Sequence, residues 1–128
     1  MIRYAKIRPF LPYLFWLWIS AIIILMVIPT DGGSALSFPG RDKVIHFGLF
    51  FFLGFFYTAP RYKLRAPFRI SKANRNTYLL LCFAVAVEFL QLKLAYRSFE
   101  ILDILSNLFG LCSGILFAHR YLPKIIRD

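Results

Sequence analysis

The chain has 128 residues, 59% of them hydrophobic, and carries 16 Lys and Arg against 6 Asp and Glu for a formal charge of +10. A single domain of this length cannot hide that much apolar surface from water, and the mean hydropathy of +0.64 points to lipid as the solvent for most of it. The basic residues fall between the apolar runs, where positive-inside topology and anionic headgroups account for them, so nucleic acid is excluded as the partner and membrane lipid takes its place.

The apolar runs predict four membrane helices, at about residues 10–28, 42–59, 75–94 and 99–120. The first follows Arg3, Lys6 and Arg8 and closes at Pro29. Its apolar body exceeds the h-region of a signal peptide and no small-x-small cleavage site follows, so it reads as an uncleaved anchor. The second opens with Asp42, whose charge suits the positive end of a helix dipole, and stops at Pro60. A basic loop over residues 60–75 leads to the third, which carries Glu88 and Gln91 in its last third. Ser98 is the expected N-cap of the fourth, with Glu100 in its first turn. No run alternates with a period of two, which excludes a β-barrel. The predicted class is an all-α, single-domain bundle of four transmembrane helices.

Lys and Arg number three at the N-terminus, six in the loop after the second helix and three at the C-terminus, against four in the other two connections together. Both termini are therefore expected in the cytoplasm. That topology carries Asp42, Lys43 and His46, Glu88 and Gln91, and Asp103 and Asn107 to one level beneath the outer surface. A carboxylate inside a membrane span costs roughly 2.5–3.5 kcal/mol on insertion scales, so Glu88 and Asp103 mark a functional site by default. Spacings of four, three and four residues place Asp42 with His46, Glu88 with Gln91, and Asp103 with Asn107 on single helix faces. Gly110 and Gly114 continue the last face as a small-xxx-small stripe that admits a close neighbour, with Gly48 and Gly54 of the second helix as receiving positions.

The candidate polar site is therefore Asp42, Lys43, His46, Glu88, Gln91, Arg97, Asp103 and Asn107. Arg97 and Lys43 are the groups expected to hold an anionic headgroup. The competing reading pairs the carboxylates with Arg97, Lys93 or Lys43 and makes them a tie between helices. No catalytic residue is assigned, because Ser98 is the one nearby hydroxyl and has no His partner assigned to it. His46, beside Asp42 and within reach of two other carboxylates, is a candidate proton carrier or metal ligand, with proton handling the stronger reading. No metal and no cofactor are assigned, because the cluster has a single His and no closed spacing such as H-E-x-x-H. Cys82 and Cys112 lie in apolar runs with no companion ligands and read as buried thiols.

In the run Asp42-Lys43-Val44-Ile45-His46-Phe47, then Glu88-Phe89-Leu90-Gln91, then Arg97, Asp103, Asn107, Gly110 and Gly114, the chain resembles the VanZ-like family of bacterial membrane proteins. The likeness covers about residues 42–114 and lies in the order and spacing of these pieces. It implies a small multi-pass protein of the bacterial inner membrane, in a family whose founding example is associated with resistance to the glycopeptide teicoplanin. The expected function is binding or modifying an envelope or lipid-linked component at an outward-facing polar pocket. The alternatives are a membrane hydrolase or transferase acting on a lipid headgroup, and a structural or assembly subunit that forms homo-oligomers through Gly110 and Gly114.

Overall fold

A computed structural model describes residues 4–29, 38–61, 75–95 and 99–125, and among them helices and turns occur and no strand. A helical turn at Tyr4–Ile7 and a 3-10 turn at Arg8–Phe10 lead into α1, Leu11–Val27. Pro9 and Pro12 lie at the first positions of these segments, where the missing N–H removes no hydrogen bond. The helix α2 spans Arg41–Thr58 and runs on into a 3-10 turn at Ala59–Arg61 that contains Pro60. Gly40 precedes it with φ of 81°, a left-handed conformation that costs a glycine nothing and turns the chain into the helix axis. Helix α3 is Arg75–Leu92 and α4 is Ile101–Ile125.

The fourth helix outruns the expected end near residue 120 and takes in Pro123. Arg120 and Lys124 suit the negative end of its dipole, and a proline in the last turn disturbs little backbone beyond it. The expected N-cap Ser98, Arg97 and nearly all of the basic loop lie outside the described residues.

Stretches of 20, 21, 18 and 24 residues, one per helix, are long and apolar enough to cross a membrane. Their outward surface agrees with that: Tyr13, Trp16, Leu17, Ile101 and Phe109 are all exposed. Such a coat of large apolar side chains is stable against hydrocarbon and not against water. Inside, Phe15, Ile22 and Met26 of α1 meet Phe50, Leu53 and Tyr57 of α2, Leu80, Ala84 and Val87 of α3 and Leu111 of α4.

Helices α2 and α4 form the most intimate pair. A Cβ placed on Gly110 would collide with the carbonyl oxygen of Phe47, one on Gly114 with that of Phe51, and one on Gly54 with that of Leu111. The contact advances from Phe47 to Phe51 as it advances from Gly110 to Gly114, so the two helices are parallel. Gly48 has nothing within 4 Å of where its Cβ would lie and takes no part in the seam. Backbones that touch in this way gain dispersion and weak Cα–H···O contacts that bulkier side chains would forbid. The parallel pairing sets the first turns of α2 and α4 side by side, and antiparallel α3 brings its last turns to the same end.

Hydrogen bonds within the apolar layer are met locally or between helices. Ser20, Thr58 and Ser106 each donate to the carbonyl four residues back. Trp18 Nε1 donates to the Leu49 carbonyl oxygen at 2.8 Å and ties α1 to α2. At the far end from the polar cluster, the Tyr57 hydroxyl meets Thr77 Oγ1 at 3.2 Å, and the Arg61 guanidinium covers the Tyr57 ring at 4.2 Å.

Candidate functional site

The ionisable residues of three helices converge at one end of the bundle, graded from exposed to buried. Asp42 is at the mouth with its side chain half exposed. Below it, the Lys43 ammonium is 3.1 Å from Asp103 Oδ1 and forms an ion pair with Glu100 as well. Asp103 Oδ1 is shut off from solvent, and among the described residues it has this ion pair and no hydrogen bond beyond it. Deeper again lie His46, Glu88 and Asn107, each at most 1% exposed.

The innermost group defines its own proton positions. Asn107 Nδ2 is 3.1 Å from the Ala84 carbonyl oxygen and 3.1 Å from Glu88 Oε1. A carbonyl only accepts, so the amide nitrogen must face Ala84, which leaves Asn107 Oδ1 toward His46. His46 Nδ1 is 2.9 Å from that oxygen and 3.1 Å from Glu88 Oε1. Both neighbours accept, so Nδ1 carries the hydrogen. The ring is locked by two bonds on one edge, and its other nitrogen, Nε2, faces outward toward Asp42 Oδ2 at 3.9 Å, beyond hydrogen-bond reach. The second oxygen of Glu88, Oε2, is buried without a hydrogen-bond partner among the described residues.

The helix geometry explains why these side chains meet. Positions 42 and 46 are separated by one turn, as are 103 and 107, and each step carries the chain about 6 Å deeper at about 1.5 Å per residue. In parallel register the two helices then present matched shallow and deep levels, and Glu88 enters the deep one from α3.

Gln91 goes elsewhere. Its Nε2 donates to the Met26 carbonyl oxygen at 3.3 Å and lies 3.0 Å from Met26 Sδ, so it joins α3 to α1 and stands apart from the His46 group. Lys43 is engaged by Asp103 and Glu100 within the chain rather than presented as a free cation. Glu100 is a member that the sequence left out of the site. Its place three residues before Asp103, on the same helix face, is the signal that could have found it. Gly110 and Gly114 are filled by α2 of the same chain. The two cysteines, expected to be buried, are exposed on the apolar surface.

Asp42, His46 and Asp103 each offer a ligand atom, all within 4.8 Å of one another. No single helix carries a closed set of metal ligands, which is why the spacing assigns no metal. Here they come from two, and only the parallel register brings them together.

An all-helical bundle with four helices of membrane-crossing length and a charged cluster buried at one end is the class of protein that this geometry defines. Within that class, the chain is 34% identical over 119 residues to "Uncharacterized protein C11E3.10" of the fission yeast Schizosaccharomyces pombe, an alignment that takes in 84% of this chain and 68% of that protein. The chain belongs to the family of that yeast protein. No family model matches the sequence, and no solved structure matches it.

Proposed function

We propose that this is a multi-pass membrane protein, with both termini in the cytoplasm, which binds the polar head of an amphipathic membrane component at the non-cytoplasmic end of the bundle. The observation that carries this reading is the convergence of Asp42, Lys43, His46, Glu88, Asp103 and Asn107 from three helices, graded from an exposed mouth to a fully buried floor. Burying four such groups for structure alone is expensive, because well-packed apolar residues of similar volume serve as well or better. The graded burial gives a headgroup a route from the interface to the floor, while its chains remain beside the exposed apolar faces of α1 and α4.

The VanZ-like resemblance belongs to this proposal, since its residues are those of the cluster. A fission yeast relative lends no support to a bacterial inner membrane or to a role in glycopeptide resistance, so the proposal names only a cell membrane and a lipid-linked ligand. Lys43 is already shared by two carboxylates, so a wholly anionic head would enter only by displacing one of them or through a bridging cation.

The test is native mass spectrometry of the purified protein with an inventory of co-purifying lipids. An amphipathic molecule retained by the wild type and lost from Asp103→Asn and His46→Ala at equal membrane abundance supports the reading. Retention of the same molecules by both variants discards it.

A second reading, an enzyme that hydrolyses or transfers a headgroup, is favoured by one observation: Glu88 and Asn107 hold His46 by Nδ1 and aim Nε2 at the mouth. Enzymes use this arrangement to direct an imidazole at a reacting group. Turnover of headgroup-labelled lipids by purified protein would distinguish it from binding.

A further inference from the structure

We propose that Asp42, His46 and Asp103 form a binding site for one divalent first-row cation of the Zn2+ or Mn2+ type. The inference stands on the arrangement of these side chains and does not depend on which lipid, if any, the cluster engages.

Three features carry it. The first is the donor set: one imidazole nitrogen and two carboxylates whose ligand atoms all lie within 4.8 Å of one another. Protein ligands of a tetrahedral cation with bonds of about 2.05 Å are about 3.3 Å apart, so the set must contract only modestly to close. Asp42 supplies that freedom, being half exposed and one helical turn from His46.

The second is the orientation of the histidine. A metal-ligating imidazole nearly always donates its other N–H to a carboxylate or carbonyl, which fixes the tautomer and increases the basicity of the ligating nitrogen. His46 has that support in full. Its Nδ1–H is held by Asn107 Oδ1 at 2.9 Å and by Glu88 Oε1 at 3.1 Å, and Nε2 is the nitrogen turned toward Asp42.

The third is Asp103 itself. Its side chain is 3% exposed, and among the described residues Oδ1 has the ion pair with Lys43 and no hydrogen bond beyond it. A buried carboxylate has about four lone-pair sites, and one ion pair with Lys43 leaves this group able to accept a cation as well. The mixed imidazole and carboxylate donors favour a borderline cation over Ca2+ or Mg2+, which take oxygen ligands.

The experiment uses the full chain in lipid nanodiscs, stripped with a chelator and titrated with Zn2+ and separately with Mn2+ by calorimetry. One equivalent of either ion should bind saturably. His46→Gln, Asp103→Asn and Asp42→Asn should each weaken it at least tenfold, and Glu88→Gln, which alters the support of His46, by 10- to 100-fold. Asp42→Asn changes a half-exposed side chain, so its effect does not turn on folding. The X-ray absorption spectrum of the loaded wild type should show imidazole scattering that His46→Gln abolishes. Replacing Cys82 and Cys112 by Ser, or His119 by Gln, should leave the affinity unchanged. The proposal is overturned if neither ion binds saturably, if Asp42→Asn and Asp103→Asn leave binding intact, or if the cysteine variant loses it. Loss of headgroup binding with intact cation binding would remove the preceding functional proposal and leave this one standing.

Discussion

His46 Nδ1 lies 3.1 Å from Glu88 Oε1, and neither side chain is reached by solvent. The two come from different helices, 42 residues apart in the chain, and Asn107 of a third helix bonds to both. Removing the carboxylate therefore strips acceptors from two buried donors at once.

Glu88→Gln keeps the shape and one oxygen but removes the charge, and we expect it to destabilise the protein by about 1–3 kcal/mol, the usual cost of leaving a buried polar group poorly matched. Glu88→Ala adds a cavity and should cost more. Thermal unfolding in detergent, compared at equal protein and detergent concentrations, checks the order. Equal stability of wild type and Glu88→Ala would show that the hydrogen-bonded group contributes nothing to the bundle.

Gly114→Leu should separate α2 from α4, because even a Cβ at this position collides with the Phe51 carbonyl. Overpacking a close seam typically costs about 1–3 kcal/mol, and a backbone collision belongs at the upper end. Gly48→Ala is the matched control. It meets open space in a helix interior, where alanine is favoured over glycine by roughly 0.5–1 kcal/mol, so it should be neutral or stabilising. Unfolding midpoints of the two variants in the same detergent decide the matter.

Lys43 is shared between Glu100 and Asp103, so its removal leaves two carboxylates facing each other. Lys43→Gln alone should then be more destabilising than Lys43→Gln combined with Asp103→Asn. A double-mutant cycle of unfolding free energies measures the coupling. A double variant no more stable than the sum of the single effects would show that Lys43 and Asp103 act independently.

The topology proposed here has a direct test in a background with Cys82 and Cys112 replaced by Ser. Single cysteines at positions 42 and 100 should react with a membrane-impermeant thiol reagent from the same side of sealed vesicles. Cysteines at positions 6 and 124 should react only from the other side. Labelling of 42 and 100 from opposite faces would dismantle the shared site.

How much of this was legible beforehand differs from element to element. The four helices were, because each is written as a long and mostly apolar stretch, and the ends at residues 29 and 60 carry prolines that anyone can read. The extension of α4 through Pro123 was not, since a proline near a helix end is a weak stop when basic neighbours favour continuing. Asp42, His46, Glu88, Asp103 and Asn107 could be picked out by their cost in a membrane. Their partners could not. Gln91 shares a helix face with Glu88 yet bonds to Met26, because a face about 100° wide can touch two neighbours and the sequence does not say which.

The order of residues along the chain determined the helices, their number and the cost of setting Glu88, Asp103 and their polar neighbours within apolar segments, since hydropathy and charge act on each segment separately. Only the tertiary structure decided that α2 and α4 run parallel in glycine-to-carbonyl contact, and with that register came the pairing of His46 with Asn107 and Glu88, the capture of Lys43 by Glu100 and Asp103, and the approach of Asp42, His46 and Asp103. Those relationships depend on the rotation and depth of one helix against another, and such offsets are set by the fit of whole surfaces rather than by any residue's own preference.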